Sequence, residues 1–295
     1  MNDPGLADDA LMVASGAPQQ DLPAPALYVV GTPIGNAADI TLRALWVLSK
    51  MDGIGAEDTR VSGALLRRYG IGTPLLAVHE HNEREAAAAI VARLRAGARI
   101  ALVTDAGTPA ISDPGARLVR AVLDAGLRVV PVPGASSLTA AASAAGLHGD
   151  ILTFVGFLPA GARERARLLG EMAARGEAFV LFEAPHRIES TARELAAALA
   201  PQRRVLIARE LTKKFETLQV CRADALAEAI GAQARGEFVL LIDTDEQAAV
   251  TEVDAGTRRW LAALAEVLPA SRAAALAAKV SGAPRAQLYA LLSKP

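Results

Sequence analysis

Short apolar runs recur through the first half of the chain, each closed by a Gly-, Pro- or Asp-containing loop and followed by a stretch of helical periodicity. Ala26–Val30, the run at Ile54, Leu75–Val78, Ile100–Val103 and Leu127–Val132 read as strands, too short for helices and buried on both faces. Between them the spacing predicts helices over Thr41–Ser49, up to Tyr69, up to Ala96, over Ala116–Ala125 and over Ser136–Ala145. Asn82, with Glu85 three residues on, has the form of a capping box for the third of these. Five strands alternating with helices predict a parallel doubly wound sheet.

Beyond Gly149 the pattern changes. Leu152–Phe157, Phe179–Phe182, Val205–Ala208, Phe215–Val220 and Phe238–Ile242 read as strands, and the close pair around Thr212–Phe215 looks like a hairpin, so a mixed sheet is expected. Helices are expected around Arg163–Ala173, near Ile188–Leu199 and over Ala223–Gln233. The expected organisation is a flexible leader over 1–25, an N-terminal α/β domain over 26–145, a C-terminal mixed α/β domain over 146–246 and a helical tail over 247–295. Asp243–Asp254 reads as polar linker. The tail, with helices over Arg258–Leu268, Arg272–Val280 and Arg285–Leu292, has a spacing that also suits helix-turn-helix, but a small helical cap is the preferred reading.

Charge narrows the options for a partner. With 31 basic and 32 acidic residues the net charge is −1, so any contact with RNA has to come from local segments. Arg163, Arg165, Arg167, Arg187, Arg203, Arg204, Lys213 and Lys214 supply such segments, although a solvated helix face accounts for the first three equally simply. The single cysteine, Cys221, excludes an internal disulfide framework and fits a reducing cytoplasm. His79 and His81 have no third histidine or cysteine nearby, short of the four ligands of a closed zinc site, so no metal is expected. The acidic start is unlike a secretory signal, and no apolar run reaches the roughly 18 residues of a membrane helix, so a soluble cytoplasmic protein is expected.

The candidate chemistry sits in the loops after the strands. Thr104–Gly115 holds two Gly, two Pro and two Asp over twelve residues, about twice the usual length of such a connection. It lies at the carboxyl edge of a predicted sheet, where open α/β folds bind ligands. Gly31–Asn36 is a second strand–Gly-loop–helix, but it is neither a dinucleotide fingerprint nor a Walker A loop. Glu57-Asp58-Thr59-Arg60 is either a substrate-facing cluster or a helix cap. Ser136 and Ser137 begin a helix of small residues, suited to a ligand carboxylate or ribose and equally to tight packing.

Gly31-Thr32-Pro33-Ile34-Gly35-Asn36, Ala56-Glu57-Asp58-Thr59-Arg60, Asp105-Ala106-Gly107-Thr108-Pro109 with Ser112-Asp113-Pro114-Gly115, Gly156-Phe157-Leu158-Pro159 and Ala208-Arg209-Glu210-Leu211-Thr212-Lys213 together resemble the tetrapyrrole-methylase-fold enzymes. Within that fold they are most similar to the branch that methylates the 2′-oxygen of a decoding-centre cytidine in 16S ribosomal RNA. The resemblance spans Ala26 to Ile242. It implies two α/β domains, S-adenosylmethionine in the cleft between them, a homodimer, and 16S rRNA within the 30S subunit as partner. It also implies that Asp105, Gly107, Pro109 and Ile111 form the cofactor loop, with Ser136 and Ser137 on its other side. Leu181, Phe182 and Ala208 would close around the adenosine, and Pro33 would sit against the same cleft.

A ribose hydroxyl is a poor nucleophile at neutral pH, so a proton acceptor or a cation beside the developing alkoxide should help. Lys213 and Arg60 are the expected positioning cations, and Asp58 or Glu210 the expected acceptor, with Glu183 and His186 as further candidates. Simple phosphate or interdomain contacts would explain the same residues. The rival functions are a methylase of the same fold acting on a tetrapyrrole or on a modified histidine of a protein, and a non-catalytic RNA- or nucleotide-binding relative.

Overall fold

A computed structural model of the chain describes residues 10–231, 234–245, 255–281, 283 and 285–292. In the first half, β1 (Ala26–Val30), β2 (Gly53–Ala56), β3 (Leu75–Ala77), β4 (Arg99–Val103) and β5 (Arg128–Val132) form one sheet in the order β3-β2-β4-β1-β5. All four pairings are parallel, as the alternating pattern predicts. Helices α2 (Leu42–Ser49) and α3 (Thr59–Arg68) cover one face, burying Leu45, Val47, Leu48 and Leu66 against Tyr28, Ile54 and Val103. On the other face α4 (Glu83–Arg95) and α5 (Ala116–Asp124) bury Ile90, Leu94, Leu118 and Val122 against Leu27, Ile100 and Leu102. The sheet is therefore doubly wound, and its strands read as unbroken apolar runs because both faces are covered.

Two local expectations change. Residues 10–25, read as flexible leader, fold onto this domain. Helix α1 (Ala10–Ala14) sinks Met12 to 1% exposure, Arg99 Nε donates to Leu22 O at 2.9 Å and Tyr28 Oη donates to Pro23 O at 2.8 Å. Five residues lack the length to show periodicity, so one buried methionine carried no signal. The capping box at Asn82 is absent as well. Its Oδ1 accepts from His79 N and its Nδ2 donates to Ala77 O, while Glu85 is exposed.

In the second half, β6 (Leu152–Phe157), β7 (Ala178–Glu183), β8 (Arg204–Arg209), β9 (Thr217–Arg222) and β10 (Phe238–Ile242) form a mixed sheet in the order β6-β7-β10-β8-β9. Only β6 and β7 run parallel. β9 begins two residues later than the sequence suggests, because 210–216 is taken up by a tightly bonded turn. α7 (Ala162–Arg175), α8 (Ile188–Ala198) and α9 (Leu226–Gly231) cover one face. α9 follows a short 3-10 turn over Ala223–Ala225, and the last two residues of the expected helix lie outside the described residues.

The other face is covered by the first half of the chain. Ala141 and Ala145 of α6 (Ser137–Ala145) pack on Val180, Leu206 and Leu241, so the small residues of that helix do set a close helix–sheet contact. Asp243, read as the start of a linker, is instead 2% exposed; it accepts from the His148 and Thr244 amides and pairs with His148 Nδ1 at 3.0 Å and Arg204 at 3.2 Å. Burial alone would raise its pKa, but these donors together hold it below the usual carboxylate range. In the tail, α10 (Ala255–Val267), α11 (Ala270–Ser281) and α12 (Arg285–Leu292) gather Leu261, Ala274, Ala277 and Leu288 into an apolar cluster of their own.

Candidate active site at the junction of the two sheets

The loops leaving β1, β4 and β5 are locked together at the carboxyl edge of the first sheet. Thr32 N donates to Gly107 O at 2.8 Å and Gly107 N to Thr32 O at 3.1 Å, while Thr32 Oγ1 donates to Thr104 O at 3.0 Å. Thr108 Oγ1 reaches Ala135 O at 3.2 Å. Gly31 and Gly134 pass so close that a Cβ on either would lie 2.8 Å from the Cα of the other. Only glycine tolerates that approach. Within the long loop, Ala110 and Ser112 hold φ of 67° and 66°, a strained conformation that persists where the surroundings dictate it.

These loops and the inner face of the second sheet enclose a cavity of ≈ 380 Å³. This is within the usual range for a small-molecule site. One wall is apolar, made by Ile34, Phe182, Ala208, Leu211 and Val239. The lining also includes the carboxyl groups of Glu57, Asp105 and Asp113. Burial pushes Asp113 up to about 7, helped by the neighbouring carboxylates of Glu57 and Asp105. Asp105 is raised as well, first by burial, and the Asp58 amide that donates to its Oδ1 at 3.0 Å opposes the shift. Thr104 Oγ1 donates to Glu57 Oε2 at 2.8 Å. Among the described residues no Lys, Arg or His forms an ion pair with these three groups, although the charge of Arg60 opposes the rise at Asp105.

Seven of the residues singled out for the cofactor come together here: Asp105, Gly107, Ile111, Ser136, Ser137, Phe182 and Ala208 line the cavity. Pro33 and Pro109 are buried and are not among the lining residues. Leu181 is not among the lining residues: side chains alternate along a strand, and it packs with Phe179 against the helices while Phe182 takes the cavity side.

The four expected catalytic residues lie outside the lining. Asp58 is the N-cap of α3, accepting from Arg60 N at 2.8 Å, and Arg60 pairs with it at 2.6 Å while remaining 89% exposed. That ion pair holds the Asp58 carboxyl down at about 2. The helix-cap reading thus describes the observed contacts. Lys213 is clamped between Glu210 and Glu237, each at 2.9 Å. Burial opposes its charge, but the two carboxylates outweigh it and hold the ammonium above its usual range. Burial likewise raises Glu210, yet the Glu237 amide and Lys213 bring it below the ordinary value.

Several of the basic residues offered for phosphate contact are committed internally. Arg165 pairs with Glu194, Arg187 with Glu183, Arg204 with Asp243, and Arg203 is 3% exposed, donating to the Asp243 and Glu177 carbonyls. Glu57, Thr108, Glu183 and Glu237 also line the cavity and were not assigned to the cofactor site. Their strand-end positions were legible, but the direction each side chain takes was not.

Residues 26–227 match the family model of Tetrapyrrole (Corrin/Porphyrin) Methylases, and residues 251–294 that of the RsmI C-terminal HTH domain. The tail, whose spacing also suits helix-turn-helix, thus resembles that domain model; periodicity shows that helices form, not what they pack against. Cobalt precorrin-4 methyltransferase superposes with a TM-score of 0.57 at 21% identity, covering 76% of this chain and 98% of that one. Uroporphyrin-III C-methyltransferase from Thermus thermophilus complexed with S-adenosylhomocysteine gives 0.51 at 21%, covering 74% and 96%. Similarity is greater to the ribosomal RNA small subunit methyltransferase I of Neisseria meningitidis serogroup B, 47% identical over 90% of this chain and 92% of the relative. The enzyme of that name from Escherichia coli O157:H7 is 43% identical over 89% and 93%. The chain belongs to the tetrapyrrole methylase family of methyltransferases, in the group named ribosomal RNA small subunit methyltransferase I.

Proposed function

We propose that this protein transfers a methyl group from S-adenosylmethionine to the ribose 2′-oxygen of a cytidine in 16S ribosomal RNA of the small subunit, acting in the cytoplasm as a homodimer. The observation that carries the donor is the pairing of an apolar wall with three unpaired carboxyl groups in one cavity. A donor that joins a flat adenine to a cationic sulfonium and an ammonium suits both. Phe182, Ala208 and Val239 would take the adenine; Asp105 and Asp113 would face the cationic end; the Ser136 and Ser137 hydroxyls and the start of α6 would take the carboxylate. When bound, the donor supplies an electrophilic methyl group. The nucleic-acid reading is supported by the whole-length relatives and by the tail's resemblance to a helix-turn-helix domain model.

The protein's own contribution is alignment and charge. Holding a hydroxyl in line with the transferred carbon supplies much of the acceleration. The proposed role of Arg60 is to orient RNA, and that of Lys213 is to hold Glu210 and Glu237 together at the rim, with Glu210 as proton acceptor. Asp58 is the weaker acceptor, since a carboxyl held at about 2 has little affinity for a proton. The test is incubation with methyl-labelled donor and 30S subunits, then nuclease digestion and mass analysis. Label in 2′-O-methylcytidine of 16S rRNA is expected; label on a base, in a ribosomal protein or only in a tetrapyrrole would overturn the assignment.

A further inference from the structure

The turn between β8 and β9, residues 210–216, presents different chemistry on its two sides. Leu211 lines the cavity, whereas Phe215 is 65% exposed, with Lys214 Nζ 5.5 Å from its ring centroid. The turn is rigidly held. Glu210 and Thr212 adopt φ of 50° and 65°, which non-glycine residues keep only when neighbouring contacts impose it. Asn36 N donates to Thr212 Oγ1 at 3.0 Å, Thr212 N to Glu216 Oε2 at 2.6 Å, and Lys213 spans Glu210 and Glu237. An exposed ring on a pinned turn is displayed, not frayed.

The surface beside it is apolar too. Leu218 is 45% and Val220 50% exposed, and Leu218 stands directly opposite Ala208, a cavity-wall residue, on the same face of the sheet. An apolar strip therefore leaves the cavity and crosses β9. Charge identifies the guest: Lys213, Arg165, Arg187, Arg203 and Arg204 are occupied, while Lys214 makes no salt bridge among the described residues. An aromatic face with an uncommitted cation beside it is the arrangement that holds an unstacked base and its phosphate.

We infer that Phe215 and Lys214, with the cavity-side face of β9 that carries Leu218 and Val220, receive a nucleotide flanking the methylated one, its base stacked on Phe215 and its phosphate near Lys214. This rests on the RNA reading above. The test measures donor Kd, the KM for 30S subunits, and mass by light scattering, for the full-length protein and for Phe215→Ala, Phe215→Trp and Lys214→Ala. Phe215→Ala should raise KM about tenfold with donor Kd unchanged. Phe215→Trp should keep activity and lose fluorescence on adding RNA. Lys214→Ala should lower the salt slope of RNA binding by about 1. If the unsubstituted protein methylates 16S rRNA and Phe215→Ala matches its KM, this inference alone falls. If Phe215→Ala leaves KM unchanged but dissociates the dimer, the face belongs to a second copy and the inference falls. If the unsubstituted protein methylates no RNA, the reading above fails and takes this one with it.

Discussion

Glu83 is the first residue of α4, is 7% exposed, and spends its carboxylate on another helix. Its Oε1 accepts from Gly115 N and Arg117 N, each at 2.9 Å, and more weakly from Leu118 N at 3.4 Å. These are the N-cap and first-turn amides of α5, whose N-cap residue, Gly115, has no side chain to cap them. A bond to a charged acceptor contributes about 1.5–3 kcal/mol, and amides stripped of a partner in a buried place add their desolvation cost. Two good bonds sharing one oxygen are not additive, so Glu83→Ala should cost about 3–4 kcal/mol. Glu83→Gln keeps an accepting oxygen in place and loses mainly the charge against the helix dipole, about 1 kcal/mol. For a domain of this size those losses correspond to drops in Tm of roughly 6–16 °C and 2–4 °C. Because Gly115 ends the loop that carries Asp105 and Asp113, donor Kd should also weaken in the alanine variant. The assay is thermal unfolding by circular dichroism with donor titration calorimetry. Equal melting of the Ala and Gln variants, within 1 °C of the unsubstituted protein, would refute the claim that this carboxylate anchors the loop.

Asp113 should make stability fall as pH rises. Its carboxyl titrates at about 7 in the fold and near 3.8 when unfolded, so between those values the unfolded chain holds fewer protons and is increasingly favoured. Asp113→Asn should flatten urea-midpoint profiles from pH 4 to 8, with a gain of at most about 4 kcal/mol at the alkaline end; parallel profiles would refute it. Uptake of the sulfonium donor near neutral pH should release a proton from the same group, visible as a buffer-dependent binding enthalpy. Met12→Ala should lower stability by about 2–4 kcal/mol, since the side chain is 1% exposed in the core of the first domain. A melting curve unchanged from the original would return residues 10–25 to the role of a loose leader.

What the sequence determined on its own was everything that depends on period and order. Unbroken apolar strands alternating with helices specify a parallel sheet covered on both faces, and the close pair around Thr212–Phe215 specifies the antiparallel return in the second sheet. Ordered loop motifs such as Asp105–Pro109 identified the family and pointed to residues that line the cavity, because those positions are fixed by where a strand ends. Only the tertiary structure decided which side chains face the cavity. Leu181 and Phe182 are adjacent in sequence yet point to opposite faces, and Asp58 and Glu57 differ by one position yet one caps a helix and the other lines the site. It also decided partnership: Arg203, Arg204 and Lys213 look like phosphate ligands in a sequence, but Asp243, Glu177, Ala145 and Glu237, which help to occupy them, lie 24 to 59 residues away along the chain. Local pattern encodes where an element begins and which way it repeats; the contacts that neutralise a charge or bury one methionine are made across the fold, between residues whose spacing along the chain carries no signal.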